Sequence, residues 1–252
     1  MSLMSHSAPQ SNAPLAQVYL ELRDGIAFIT FDHVAARNAM TVEMYQSLRK
    51  ICEDLAKNPA ARIAILRGAG GKSFVSGSDI AQFANFETSE DGIRYEAGID
   101  AYLAPLAMLP IPTIAVIDGM AIGGGLVPIA KTLGNCLSAS NIALLVAHLG
   151  IHIVKRMLLL AELVPAKELL DQGYLLATYP AQELESEAQA LAKRLSQLAP
   201  ITQKVSKLTL ARLMSNHLPN CSDLIRECYG SEDFKEGVAA FLAGKPPTWT
   251  GK

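Results

Sequence analysis

Two β-branched runs, ARIAILRG at 61–68 and PTIAVIDG at 112–119, each end on a glycine. They enclose a stretch whose period predicts a helix from about Thr88 to Met108. Strand, helix, strand in that order places the strands parallel and side by side with the helix covering them. The fold class is therefore α/β, and ligands are expected where strands end and glycine turns begin. Upstream, VYLELRDGIAFITFD (18–32) carries two alternating runs around Asp24-Gly25, a hairpin signal. Thr41 is placed to cap a helix whose Met44, Leu48, Ile51 and Leu55 recur at helical spacing. From Pro165 onward the pattern is helical, with Pro200 separating AQELESEAQALAKRLSQLA from a further helical region. The organisation expected is a leader over 1–14, an α/β core over 15–199 and a helical region over 200–252.

Composition narrows the function. Half of the 252 residues are apolar, enough for a sizeable core. A net charge of −2 with no long basic run gives no footprint for nucleic acid or an anionic membrane. No unbroken apolar run has the length of a membrane span, and the first fourteen residues lack the apolar centre of a signal peptide. Cys52, Cys136, Cys221 and Cys228 form no CxxC pair, so neither a zinc site nor a disulfide framework is indicated, and a reducing cytoplasm fits.

Two glycine turns follow strands, GGKSFVSGSDI at 70–80 and DGMAIGGGL at 118–126. Glycine lets a ligand approach the main chain, and unpaired N–H groups there suit an oxygen that gains negative charge. Each turn alone also reads as an ordinary tight connection. Neither has the spacing of a phosphate loop or of GxGxxG.

Taken together, RNAMT (37–41), FVSGSDI (74–80), AIGGGL (121–126) and EDFKEGVAAFLAGKPP (232–247) resemble the crotonase, or enoyl-CoA hydratase/isomerase, family in order and spacing, from about Val18 to Gly251. The resemblance implies a spiral of ββα units, a helical C-terminal region that assembles homotrimers or dimers of trimers, and an acyl-CoA substrate with no metal or redox cofactor. It implies that the Ser78 and Gly124 amides form the oxyanion hole. Their identity as main-chain donors leaves the Ser78 side chain of little consequence. Arg37 and Ala39 would line the adenine end of CoA, and Lys72 would lie near its phosphates or be a solvated turn lysine. Ser76, Asp79, Ile80 and Gly123 complete the CoA-binding set, with Asp79 bracing the loop through backbone N–H bonds.

The family's two glutamates have no counterpart. After the triplet comes Leu126-Val127-Pro128-Ile129, with Ile129 where the second acid belongs. A parallel crossover needs a dozen or more residues. Either the fold has lost a unit or the sequence lacks about twenty residues of a longer chain after Leu126. Glu96 and Asp100, at i and i+4, share a helix face that either looks into the pocket, where they would stand in for the missing acids, or, the commoner case, is solvated surface. His148 and His152 lack the glutamate of HExxH, and Cys136 has no visible base. An acyl-CoA enzyme with 2-enoyl-CoA hydration as its default reaction is expected. A CoA-thioester-binding subunit without catalytic acids is the alternative.

Overall fold

A computed structural model describes residues 16–121, 136–214, 222–248 and 250. Strand β1 (Gln17–Arg23) pairs antiparallel with β2 (Ile26–Asp32) through a two-residue turn. Asp24 (φ 50°) and Gly25 (φ 78°) are both left-handed there, the backbone that lets a tight hairpin keep the strands' twist. Helix α1 (Val42–Leu55) starts at Thr41, whose Oγ1 accepts from the Met44 N–H. It returns the chain to β3 (Ile63–Gly68), parallel to β2. Helix α2 (Ser89–Ala107), capped reciprocally by Thr88 and Asp91, then leads to β4 (Thr113–Val116), parallel to β3. The sheet order is β1-β2-β3-β4.

Helix α3 (Ala139–Leu159) and α4 (Ala166–Asp171) come next in the chain, joined by a cluster of Leu149, Ile153, Val154, Met157 and Leu169. By length and composition alone, α3 is apolar enough to cross a membrane. A search for an unbroken apolar run passes over it because Asn141, His148 and His152 interrupt the sequence. Gly150, at φ 74° and ψ 154°, breaks its helical path midway. Helix α5 (Ala181–Ser196) leads to α6 (Pro200–Met214), then α7 (Ser222–Gly230) and α8 (Glu232–Leu242).

Alternation along β2 and β3 divides the core. Ala27, Ile29, Phe31, Ala64 and Leu66 face Met44, Leu48, Cys52 and Leu55 of α1. Phe28, Ile63, Ile65 and Val116 face the other way, onto Ala188 and Ala192 of α5. Burial on both faces explains why these strands read as continuous apolar runs. At the C-terminal end, Tyr229 and Phe234 pack with Phe83, Phe86 and Tyr95, so the last helices close over α2 and the turn before it.

Candidate active site at the strand exits

The 72–79 segment is a ribbon tied to the chain leaving two strands. On one side Met40 N–H donates to the Gly77 carbonyl (2.8 Å) and Asp79 N–H to the Met40 carbonyl (2.8 Å). On the other, Met120 N–H donates to the Lys72 carbonyl (3.2 Å), Phe74 N–H to the Met120 carbonyl (2.9 Å), and Ser73 Oγ to that same carbonyl (2.8 Å). The two glycine turns read from sequence are thus hydrogen-bonded to each other at the C-terminal ends of parallel strands, where α/β ligands sit.

The bridge to Met40 uses the Gly77 carbonyl and the Asp79 N–H but not the Ser78 N–H. The Ser78 N–H has no acceptor among the described residues. Its side chain is held instead: the Tyr95 hydroxyl donates to Ser78 Oγ, and the Tyr45 hydroxyl lies 2.9 Å from it. Tyr45 comes from α1 and Tyr95 from α2, so Ser78 is gripped by both helices. Burial pushes both phenols above their usual range and keeps them protonated at neutral pH.

Around this point the other sequence-selected residues take different places. Asp79 Oδ1 accepts from the Ala81 N–H (3.0 Å), capping the short 3-10 turn Ile80–Asn85. Ser76 Oγ donates to the Ala36 carbonyl (3.1 Å), fastening the ribbon to the turn before Arg37. Arg37 is exposed, with a left-handed φ of 53°. The Ala39 carbonyl lies 2.8 Å from His33 Nδ1, and Lys72 is exposed. Ile80, partly buried, packs against the Phe83, Tyr229 and Phe234 cluster. Gly123, Gly124 and the Leu126–Ile129 stretch lie outside the described residues.

Asn38, inside the RNAMT motif but not singled out from sequence, is the keystone of the loop. Only 1% exposed, it accepts from the His33 N–H (2.9 Å) and donates to the Ala69 (2.9 Å) and Ser73 (2.8 Å) carbonyls.

Glu96 is a correction to the surface reading. It is 5% exposed, and its carboxylate accepts from the Tyr229 hydroxyl (2.9 Å) and the Ser138 N–H (2.8 Å). A helical period cannot reveal this, because the covering residues arrive from α7 and from the entry to α3. Asp100 is half-buried and accepts from Ser140 Oγ (2.5 Å). Burial raises the Glu96 pKa despite its two donors. A carboxyl whose folded pKa is raised contributes stability below its unfolded value of 4.5 and loses it as pH rises through the folded value. The melting temperature of the natural chain relative to Glu96→Gln is therefore expected to fall as pH is raised from 4 to 8. A difference that stays flat or widens would contradict the burial.

Cys136 packs in the aromatic cluster beside Cys228, and its hydrogen bond with Cys228, together with burial, raises its thiol pKa, the opposite of an activated nucleophile. His148 and His152 are both exposed, on either side of the Gly150 break. No cluster of three or more metal-ligating side chains occurs among the described residues.

This arrangement defines a class: parallel strand exits that present backbone amides through glycine turns. A model of the enoyl-CoA hydratase/isomerase family matches the chain over residues 21–130 and 129–252, and the chain belongs to that family. It is 26% identical over 250 residues to the short-chain-enoyl-CoA hydratase of Clostridium acetobutylicum, covering 90% of this chain and 95% of that protein. To the methylmalonyl-CoA decarboxylase of Escherichia coli it is 27% identical over 250 residues, with the same coverages. A methylmalonyl-CoA decarboxylase structure complexed with 2S-carboxypropyl CoA superposes at a TM-score of 0.81, with 26% identity over 93% of this chain and 98% of the other. The fold is that of the crotonases. The family match divides at 129–130, and the 250 aligned positions take up only 90% of 252 residues. The alignment is therefore gapped, and the two pieces of the family match meet where the sequence is short of a crossover.

Proposed function

We propose that the chain is an acyl-CoA enzyme that stabilises a thioester enolate between the amides of Ser78 and Gly124. The observation that carries the reading is the Ser78 N–H, which lacks an acceptor among the described residues although the ribbon is bonded on both sides of it. Gly124 enters through the family motif. Removing a proton beside a thioester, or adding water across a conjugated double bond, places charge on the carbonyl oxygen. A fixed donor there lowers the barrier by about 3 to 4 kcal/mol. Arg37, Ala39, Lys72 and the neighbouring loop residues are assigned to the CoA end, and no metal or redox cofactor enters the scheme. A cytoplasmic setting fits cysteines that stand outside any disulfide, Cys52 and Cys136 among the described residues.

Hydration of a 2-enoyl-CoA is the first reaction to test. The absence of a glutamate from Leu126 to Ile129 favours a second reading, decarboxylation of a 2-carboxyacyl-CoA. Loss of CO2 leaves its electron pair in the enolate, so no general base is needed; the oxyanion donors and a proton suffice. The assay offers crotonyl-CoA and methylmalonyl-CoA in parallel. It follows loss of the conjugated absorbance for the first and CO2 release for the second. Turnover of either supports the enzyme reading. Tight acyl-CoA binding without turnover of any acyl chain supports the binding-subunit alternative, and no binding at all overturns the acyl-CoA assignment.

We also propose that the chain functions as a homotrimer or a dimer of trimers. Ile201 is 69% exposed, Leu213 66%, Leu160 71% and Leu176 77%, large apolar side chains that subunit contacts would cover. Light scattering on the purified protein is expected to give three or six times the chain mass; a monodisperse monomer would refute this.

A further inference from the structure

The hydroxyl arrangement around Ser78 has a donor count that the sequence does not reveal. A serine hydroxyl offers one hydrogen and two lone pairs, a phenol one hydrogen to donate. Tyr95 donates to Ser78 Oγ, and Ser78 Oγ is the hydrogen-bond partner that the Tyr45 hydroxyl has among the described residues. Tyr45 is 7% exposed, and a buried phenol that gives its hydrogen to nothing loses the full cost of its desolvation. Tyr45 therefore donates as well. With both lone pairs of Oγ occupied by phenols, the Ser78 hydrogen is left over. It is then available to an acceptor other than the two phenols, on the residue whose N–H also lacks an acceptor among the described residues.

We infer that the Ser78 hydroxyl is a catalytic residue in its own right: a side-chain donor to the substrate's thioester oxygen, beside the backbone amide, its direction fixed by Tyr45 and Tyr95. The inference rests on the acyl-CoA reading and deepens it. Two phenols donating into one oxygen polarise the remaining O–H, since chained hydrogen bonds strengthen one another. Because burial holds both phenols protonated, they orient and polarise without giving up a proton. The donor strengthens as charge gathers on the oxygen, so it discriminates between enolate and ground state. Tyr45 and Tyr95 are positioning residues, acting only through Ser78.

The test compares the wild type with Ser78→Ala, Ser78→Thr, Tyr95→Phe and the Ser78→Ala/Tyr95→Phe double variant. Each is titrated with acetoacetyl-CoA, whose enolate form is followed by its absorbance, and with butyryl-CoA, which has no such form. Ser78→Ala is expected to weaken binding of the enolate by about tenfold, one hydrogen bond, and binding of butyryl-CoA, whose thioester oxygen carries no enolate charge, by several-fold less. Ser78→Thr restores the enolate affinity. Tyr95→Phe weakens it in the wild type but adds nothing in the Ser78→Ala background, which a merely structural role would not produce. Tyr95→Phe also keeps the test in force if Ser78→Ala fails to fold, because it leaves Ser78 in place: undiminished enolate binding by it overturns the inference. So does undiminished enolate binding by Ser78→Ala, or an equal Tyr95→Phe effect in both backgrounds, and in each case the acyl-CoA reading stands. A wild type that binds neither thioester overturns that reading and this inference together.

Discussion

Gly119→Ala is expected to lower stability by roughly 3 to 5 kcal/mol and to remove measurable turnover of any acyl-CoA. Gly119 has φ +81°, and a Cβ there would lie 2.2 Å from the Lys72 carbonyl oxygen and 2.4 Å from its carbon. Both are backbone atoms, so no side-chain rotation relieves the contact. Left-handed backbone costs an alanine about 1 to 2 kcal/mol by itself. Escaping the clash also means moving the 118–120 turn away from the ribbon. That breaks the Met120 to Lys72, Phe74 to Met120 and Ser73 to Met120 hydrogen bonds, at about 0.5 to 1.5 kcal/mol each. Gly173→Ala is the matched control: its φ is +74°, yet a Cβ there meets nothing within 4 Å. It should cost only the left-handed penalty and leave turnover intact. Urea denaturation and kcat/KM on both variants check this. Equal, small losses for the two would mean that the turns are not held together at Gly119.

The reason such a substitution reaches the chemistry is that the site is made where two turns meet. Each turn is legible in the sequence, because a glycine after a β-branched run is a local signal. So are the Asp24-Gly25 hairpin, the Thr41 cap, the start of α2 at Thr88, and the strands that both precede and follow that helix. Those features depend on neighbours one to four residues away. Asn38 is not legible, since the carbonyls it joins lie 31 and 35 residues along the chain. Glu96 reads as surface for the same reason: its tyrosine partner is 133 residues distant. Tyr45 sits one position off the apolar stripe of α1, and nothing in a helical period says that its hydroxyl meets a serine 33 residues later. Backbone donors announce themselves through glycine; side-chain donors that converge from separate helices do not.

That distinction bears on what evolution of this chain can alter without losing the fold. The main-chain donor at Ser78 depends on the ribbon, and Asn38 ties the start of the ribbon at Ser73 to the β3 exit at Ala69. Removing that side chain with Asn38→Ala is expected to cost about 3 to 5 kcal/mol, because the buried Ser73 carbonyl, the part-buried Ala69 carbonyl and the His33 N–H all lose their partner. Its φ of 60° adds to the penalty, as asparagine accepts left-handed backbone better than alanine. Asn38→Asp separates the two donated bonds from the accepted one. The Oδ1 acceptor for His33 survives, but a carboxylate oxygen now faces two carbonyls where an NH2 stood. The folded state therefore favours the protonated acid, which donates to one of the two carbonyls. Its raised pKa makes the variant's stability greatest below the ordinary aspartate range and lost as pH rises through the folded value. Thermal melts of Asn38→Asp from pH 3.5 to 7.5 should show its deficit against the wild type widening with pH, while the Asn38→Ala deficit stays level. An Asn38→Asp deficit that is constant or shrinks toward neutrality would mean that Nδ2 is not what holds the Ala69 and Ser73 carbonyls, and the ribbon would need another anchor.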